Sequence, residues 1–188
     1  SALITQLMTK TLQGGLSNLS SGTSGYAGNF LTPDQQQAQD QGNSLLVTLQ
    51  AAQQTATQYG SAEQGSISDI QATQQKLENL SNCWETIETS GGYSASQRSS
   101  AAAQASSTQT TIATYESSIA VYNNNITRAN EAIAALQTMQ TQTLSVTSTA
   151  DVTAIQGEFN DAAASGQLLT QADVTQAQQD RTTLQSSL

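Results

Sequence analysis

Histidine is absent from this chain of 188 residues. That removes imidazole general bases, the common catalytic triads and most zinc sites. There is one cysteine, Cys83, so neither an intrachain disulfide nor a thiolate metal cluster can form. Two readings are left for it: a half-buried small residue beside Trp84, or a disulfide, either intermolecular to another chain or to a part of a longer parent protein. Basic residues are equally sparse. Lys10, Lys76, Arg98, Arg128 and Arg181 are scattered, whereas a phosphate backbone needs clustered cations. Against 14 acidic residues they leave a net charge of −9, so nucleic acid is set aside as a partner and anionic membrane surfaces are disfavoured. No run of ~20 apolar residues could span a bilayer. No basic-apolar-small signal segment is present either. The chain opens at Ser1 rather than Met, which reads as a processed product or a fragment of a longer protein.

Motifs for chemistry are missing as well. No Gly-rich loop leads into Lys-Ser or Lys-Thr, and no twelve-residue calcium loop fits. Glu158 with Asp161, and Glu85 with Glu88, each sit three residues apart on a helical face. Carboxylate pairs do acid/base work only in a cleft that drives their pKa values apart, and on thin helices they read as solvated charge. Serine and threonine are abundant, but none has a recognisable activating base. Asn18, Asn79 and Asn125 open glycosylation triplets, which chance explains in a chain so rich in Asn, Ser and Thr. The expectation is a protein that is not an enzyme, with no catalytic, cofactor-binding or metal-ligating residue.

What the chain does contain is helical period. Apolar residues are only 36% and charged residues only 10%, the balance being largely Gln, Ser, Thr and Asn. So little apolar material suits a narrow seam better than a spherical core. Ala101, Ala105, Thr108, Ile112, Tyr115, Ile119, Tyr122, Ile126, Ala129, Ile133 and Leu136 recur in steps of four and three without a slip. That is the heptad of a helix burying one stripe against other helices. A helix over 94–143 would be roughly 75 Å long, which predicts a rod.

Taken in order, residues 1–19 read as an apolar helix with Leu3, Leu7, Leu12 and Leu16 on its broad face. Residues 20–32 read as a flexible Gly/Ser linker. Thr32-Pro33-Asp34 then supplies an N-cap, a first-turn proline and a carboxylate at the positive helix end. From there a long helix carries Leu45, Leu49, Ala52, Ala56, Tyr59, Ile70, Leu77, Leu80, Trp84 and Ile87. Counting by four and three takes its register through Glu63 and Ser66, past a weak zone at Gly60 and Gly65 where the helix bends or a neighbour approaches closely. Ser90-Gly91-Gly92-Tyr93 breaks the pattern, and Ser94 with Gln97 forms a capping box for the next helix. Asn123, Asn124 and Asn125 are read as off the stripe. The 33–148 segment is thus a long helical hairpin with its tip near 89–94. Residues 149–188 form a short helical hairpin, with Gly166 as a stop and Thr170 to Asp173 as a second start, lying along one end of the long pair.

The fold expected is all-α: an elongated antiparallel helical hairpin or coiled coil with the smaller hairpin packed alongside, a three- to four-helix bundle. The opening Ala2-Leu3-Ile4-Thr5-Gln6-Leu7-Met8, with Lys10 and Gly14-Gly15-Leu16-Ser17, resembles a segment of large exported helical proteins encoded near type IV secretion genes in small-genome bacteria. A long helical hairpin with a small helical appendage is similar to the minor pilin subunits of those systems. The resemblance implies an extracytoplasmic structural or adhesive part in a bacterium. The leading expectation is therefore a secreted, periplasmic or surface interaction protein that binds protein partners or itself. Its candidate contacts are Tyr93 and the face of Leu3, Leu7, Leu12 and Leu16. A flagellin-like filament subunit and an intracellular coiled-coil adaptor are the alternatives.

Overall fold

In the computed structural model the described residues are 31–188, so the expected helix over 1–19 and nearly all of the 20–32 linker lie outside them. Four helices follow: α1 (Pro33–Thr89), α2 (Ala95–Leu144), α3 (Thr149–Ala164) and α4 (Gln171–Ser187). The described residues hold no strand, and the protein is an all-α helical bundle.

Each helix starts where its sequence offers a cap. Gln35 N–H donates to Thr32 Oγ1 at 3.1 Å while Thr32 N–H donates to Gln35 Oε1 at 3.0 Å. Ser94 with Gln97, and Thr170 with Asp173, repeat this reciprocal box. Ser148 caps α3 by accepting from Asp151 N–H. Such pairs satisfy backbone donors that the first turn leaves free, worth ~1 kcal/mol per cap. At the end of α3, Gly166 adopts φ 76°, Gln167 N–H donates to Ala162 O and Gly166 N–H to Ala163 O. This is a left-handed glycine stop, a conformation that a Cβ would strain. Along the helices the polar side chains mostly serve their own backbone. Thr48, Thr55, Thr110, Thr114, Thr127 and Thr138, among others, donate Oγ1–H to the carbonyl four residues earlier. A hydroxyl satisfied in this way sits in a helix at little cost.

The heptad of α2 is the observed seam. Ala101, Ala105, Thr108, Ile112, Ala129 and Leu136 are buried, and the remaining positions of the eleven are half-buried. Met139 and Thr143 extend it. On α1 the register passes through the weak zone unbroken, burying Tyr59, Glu63, Ser66 and Ile70. Further on it departs from expectation. Leu80 is 44% exposed and Ser81 takes its place in the seam. Ser81 is small enough for α2 to come close, and Gln109 Nε2 donates to its Oγ at 2.9 Å.

The described chain divides into two compact units. Unit 1 joins the described residues up to Tyr59 with Arg128–Val174, and unit 2 joins Gly60–Thr127 with Thr175–Leu188. In unit 1, Leu45, Leu46 and Leu49 of α1, Leu136 and Met139 of α2 and Val152 and Ile155 of α3 are buried. Leu168, Leu169 and Val174 are buried in the same unit. Thr149 Oγ1 donates to Asp34 Oδ1 at 2.7 Å, so the carboxylate placed at the α1 N-terminus also holds the start of α3. In unit 2, the second half of α1 runs antiparallel to the first half of α2. The bonds Glu63 to Asn125, Gln74 to the Ile112 carbonyl and Ser81 to Gln109 mark that register. The two short helices fall largely in different units. Unit 1 takes α3, whose Val152, Ile155 and Ala162 make a full apolar face, while most of α4, with only Ala177 buried beyond Val174, belongs to unit 2.

Candidate functional site

Tyr93 stands in the turn between α1 and α2, 44% exposed. The turn is held by Ser90 N–H on Ile87 O and by Gly92 N–H on Ser90 Oγ. A Cβ added at Gly91 would meet nothing within 4 Å, and one at Gly92 only the Ser90 hydroxyl at 3.6 Å. Gly166 alone among the described glycines has positive φ. Neither packing nor backbone angle therefore requires the two glycines, and their effect is to leave the backbone beside Tyr93 open.

The neighbouring part of α1 carries an uncovered apolar set. Leu80, Cys83, Trp84 and Ile87 are spaced i, i+3, i+4 and i+7, one face of a helix. Leu80 is 44% exposed, Cys83 is exposed with a free thiol, and Trp84 and Ile87 are half-buried. The expectation of a half-buried Cys83 beside Trp84 is corrected: Trp84 turns toward the seam, and Cys83, 100° away around the helix axis, falls on the open side. Glu78, Glu85 and Glu88 are exposed beside this face, and Lys76 is the one cation of α1. Leu3, Leu7, Leu12 and Leu16, the other expected contacts, lie outside the described residues.

The buried polar groups of unit 2 have partners that periodicity could not locate. Glu63 is buried at 4% exposure, and its Oε2 accepts from Asn125 Nδ2 at 3.0 Å. Asn125 is thus a seam partner rather than an off-stripe residue. Burial pushes the Glu63 carboxyl above the ordinary glutamate range, the Asn125 hydrogen bond opposes this, and the Asp180 charge adds to it. Burial likewise raises the Tyr122 phenol, with Glu63 and Asp180 adding to the effect. Ser66, one turn from Glu63, buries its Oγ without a hydrogen-bond partner. Arg181 of α4 lies against Gly65, where a Cβ would collide with the guanidinium. Its Nε donates to Asp69 Oδ2 at 2.9 Å, and that bond holds the Asp69 carboxyl below its usual range. At Gly65 the weak zone is a place of close approach. Only the antiparallel register, which sets Asn125 level with Glu63, could have suggested any of this from sequence.

In unit 1 an open groove of about 440 Å³ is lined by Asp40, Ser44, Leu45, Thr153, Phe159 and Asn160 among others. It offers one carboxylate with no opposing acid or base. Glu158 and Asp161, and Glu85 and Glu88, are exposed. Among the described residues no three His, Cys, Asp or Glu side chains are grouped to hold a metal ion, and no helix is long and apolar enough to cross a membrane. No protein-family model, curated protein or solved structure matches the chain.

Proposed function

We propose that this protein is a non-catalytic interaction component that works outside the cytoplasm, in a secretion or pilus apparatus or as a surface adhesin, and binds a protein partner through the Tyr93 turn and the adjoining face of α1. The observation that supports this reading is the exposed Leu80 and Cys83, with half-buried Trp84 and Ile87 beside them, leading to a turn whose glycines the fold does not require. Anchors at this spacing fit an apolar helix of a partner. The flanking Glu78, Glu85 and Glu88 favour basic residues at that helix's edges. The weakly charged Gln/Ser/Thr/Asn surface and the resemblance of the first twenty residues to exported helical proteins support the compartment. Leu3, Leu7, Leu12 and Leu16 make a second apolar contact in this reading.

The test uses the full chain, fluorescently labelled, and envelope fractions of the source organism. Replacing Leu80 and Tyr93 together by Ser is expected to weaken binding by about tenfold or more, the scale of losing buried anchors, without moving the thermal midpoint. Undiminished binding by that variant would remove this surface from the reading. A sedimentation series over a wide concentration range addresses the filament alternative, because polymers growing with concentration would displace the single-partner account.

A further inference from the structure

We propose that Glu63 is a proton-controlled latch that fastens α4 to α1 and α2 in unit 2. The geometry comes first. A carboxyl at 4% exposure sits in the seam between α1 and α2, in a chain where most acidic side chains are solvated. From α2 it is met by the Asn125 amide, which donates to Oε2, and by Tyr122, a neutral phenol. Helix α4 lies against this stretch of α1 through Arg181 at Gly65 and Asp69, and its Asp180 charge acts on the Glu63 carboxyl from there. On α1 itself the nearest other charge is Asp69, which Arg181 of α4 already engages through Nε and Nη2, with Gln185 donating to the same carboxylate. The arginine is therefore committed elsewhere, and among the described residues no cation pairs with Glu63. One turn along, Ser66 holds a buried hydroxyl with no partner.

An ionised Glu63 in this setting is desolvated, held by a single neutral amide and opposed by Asp180 across the α1–α4 contact. A buried charge without a counter-charge is expensive. When the carboxylate takes a proton from solvent, the charge and the repulsion vanish while the Asn125 hydrogen bond stays. The new O–H is then a donor inside a seam that already holds an unsatisfied hydroxyl. Helix α4 is the element that responds, because its apolar hold is thin. Beyond Val174 its one buried apolar residue is Ala177, with Leu184 half-buried, and the part-buried Arg181 to Asp69 pair is a polar tie to α1.

The sign follows from linkage. Burial raises the folded-state pKa of Glu63 above its unfolded value, so the folded state binds more protons between the two. Its contribution to stability is complete below the unfolded value and is lost as pH rises through the folded one. Unit 2 is tighter in mild acid and looser at neutral pH, the reverse of most carboxylates in folded proteins.

Hydrogen exchange on the full chain, corrected for the intrinsic pH dependence of amide exchange, tests this at about pH 5 and about pH 7.5. Amides of residues 60–70 and 175–187 are expected to gain several-fold protection at the lower pH. Glu63→Gln, which mimics the protonated form, should show high protection at both. Glu78→Gln, at an exposed glutamate, should keep the wild-type pH step. The same step in Glu63→Gln as in the wild type, or a wild type that loosens in acid, overturns the latch. A carboxyl NMR titration of Glu63 in the unmodified protein stands independently of the variants. A midpoint above the ordinary glutamate value supports the proposal, and one at or below that value overturns it.

Discussion

The two units use the same pair of long helices and fill their seams differently. Unit 1 is mainly aliphatic, with Leu45, Leu46, Leu49, Leu136, Met139, Val152 and Ile155 buried and two buried polar residues, Gln53 and Thr143, among them. Unit 2 interleaves Ala62, Ile67, Ile70, Ala101, Ala105 and Ile112 with Glu63, Ser66, Ser81 and Thr108. Burial of large apolar groups contributes about 25 cal/mol per Å², so unit 1 draws its stability from area. Unit 2 has less area to bury and relies on directed contacts: Gln109 to Ser81, Asn125 to Glu63, Arg181 to Asp69. Such contacts contribute only ~1 kcal/mol each, but leaving one half-made costs more than making it gains. One unit leans more on apolar area and the other more on polar pairs, which is where the proposed response to pH resides. It is the second that carries Tyr93 and the uncovered face of α1.

The largest effect should come from unit 1. Leu49 has no exposed surface, and Leu49→Ala is expected to lower stability by about 2–5 kcal/mol through lost burial and an unfilled cavity. Ser81→Ala in unit 2 should cost ~1 kcal/mol, the scale of one hydrogen bond. Urea unfolding of both variants compares them directly, and similar losses at the two sites would dissolve the contrast between the units.

Next in size is Gly65→Ala. Its methyl group would displace the Arg181 guanidinium, the flexible end of a half-exposed side chain, from Asp69, so the loss is that of the pair, about 1 kcal/mol, partly offset by the helix propensity of alanine. The variant should also change the acid response. Arg181 depresses the Asp69 pKa, so the pair stabilises unit 2 above the unfolded aspartate value and that contribution fades as pH falls through the lowered one. Gly65→Ala is expected to flatten this acid limb in a thermal-midpoint series. If the variant keeps the wild-type acid limb, Arg181 and Asp69 are not the linked pair.

The smallest effect lies at the turn. Gly91→Ala and Gly92→Ala meet open space at ordinary backbone angles, so each should stabilise by about 0.4–1 kcal/mol by restricting the unfolded chain. Calorimetry of the double variant would expose any hidden structural demand as a lowered midpoint.

Much of the helical architecture could be read in advance, and the reasons are particular. Ser94 with Gln97 and Thr170 with Asp173 are short-range caps, so their geometry is local and was visible as spacing. The α2 stripe from Ala101 to Leu136 was legible because heptad counting tests one face against eleven positions. The same counting placed Glu63 and Ser66 in the seam although neither is apolar. It failed at Leu80, where residue type suggested burial and the approach of Gln109 to the smaller Ser81 decided otherwise. It failed too at Asn125 and Cys83, whose surroundings depend on which helix lies opposite. No spacing rule brings Arg181 to Asp69, 112 residues away.

By itself the chain determined four helices, their caps and stops, and the stripe each long helix buries, because all of these depend on residues within a few turns of one another. Only the folded arrangement decided that α3 and most of α4 would serve different units, that Glu63 would lie buried facing Asp180 without a cation, and that one face of α1 beside Tyr93 would stay uncovered. Those outcomes depend on which side chains from distant parts of the chain share the same few ångströms, and local period carries no record of that.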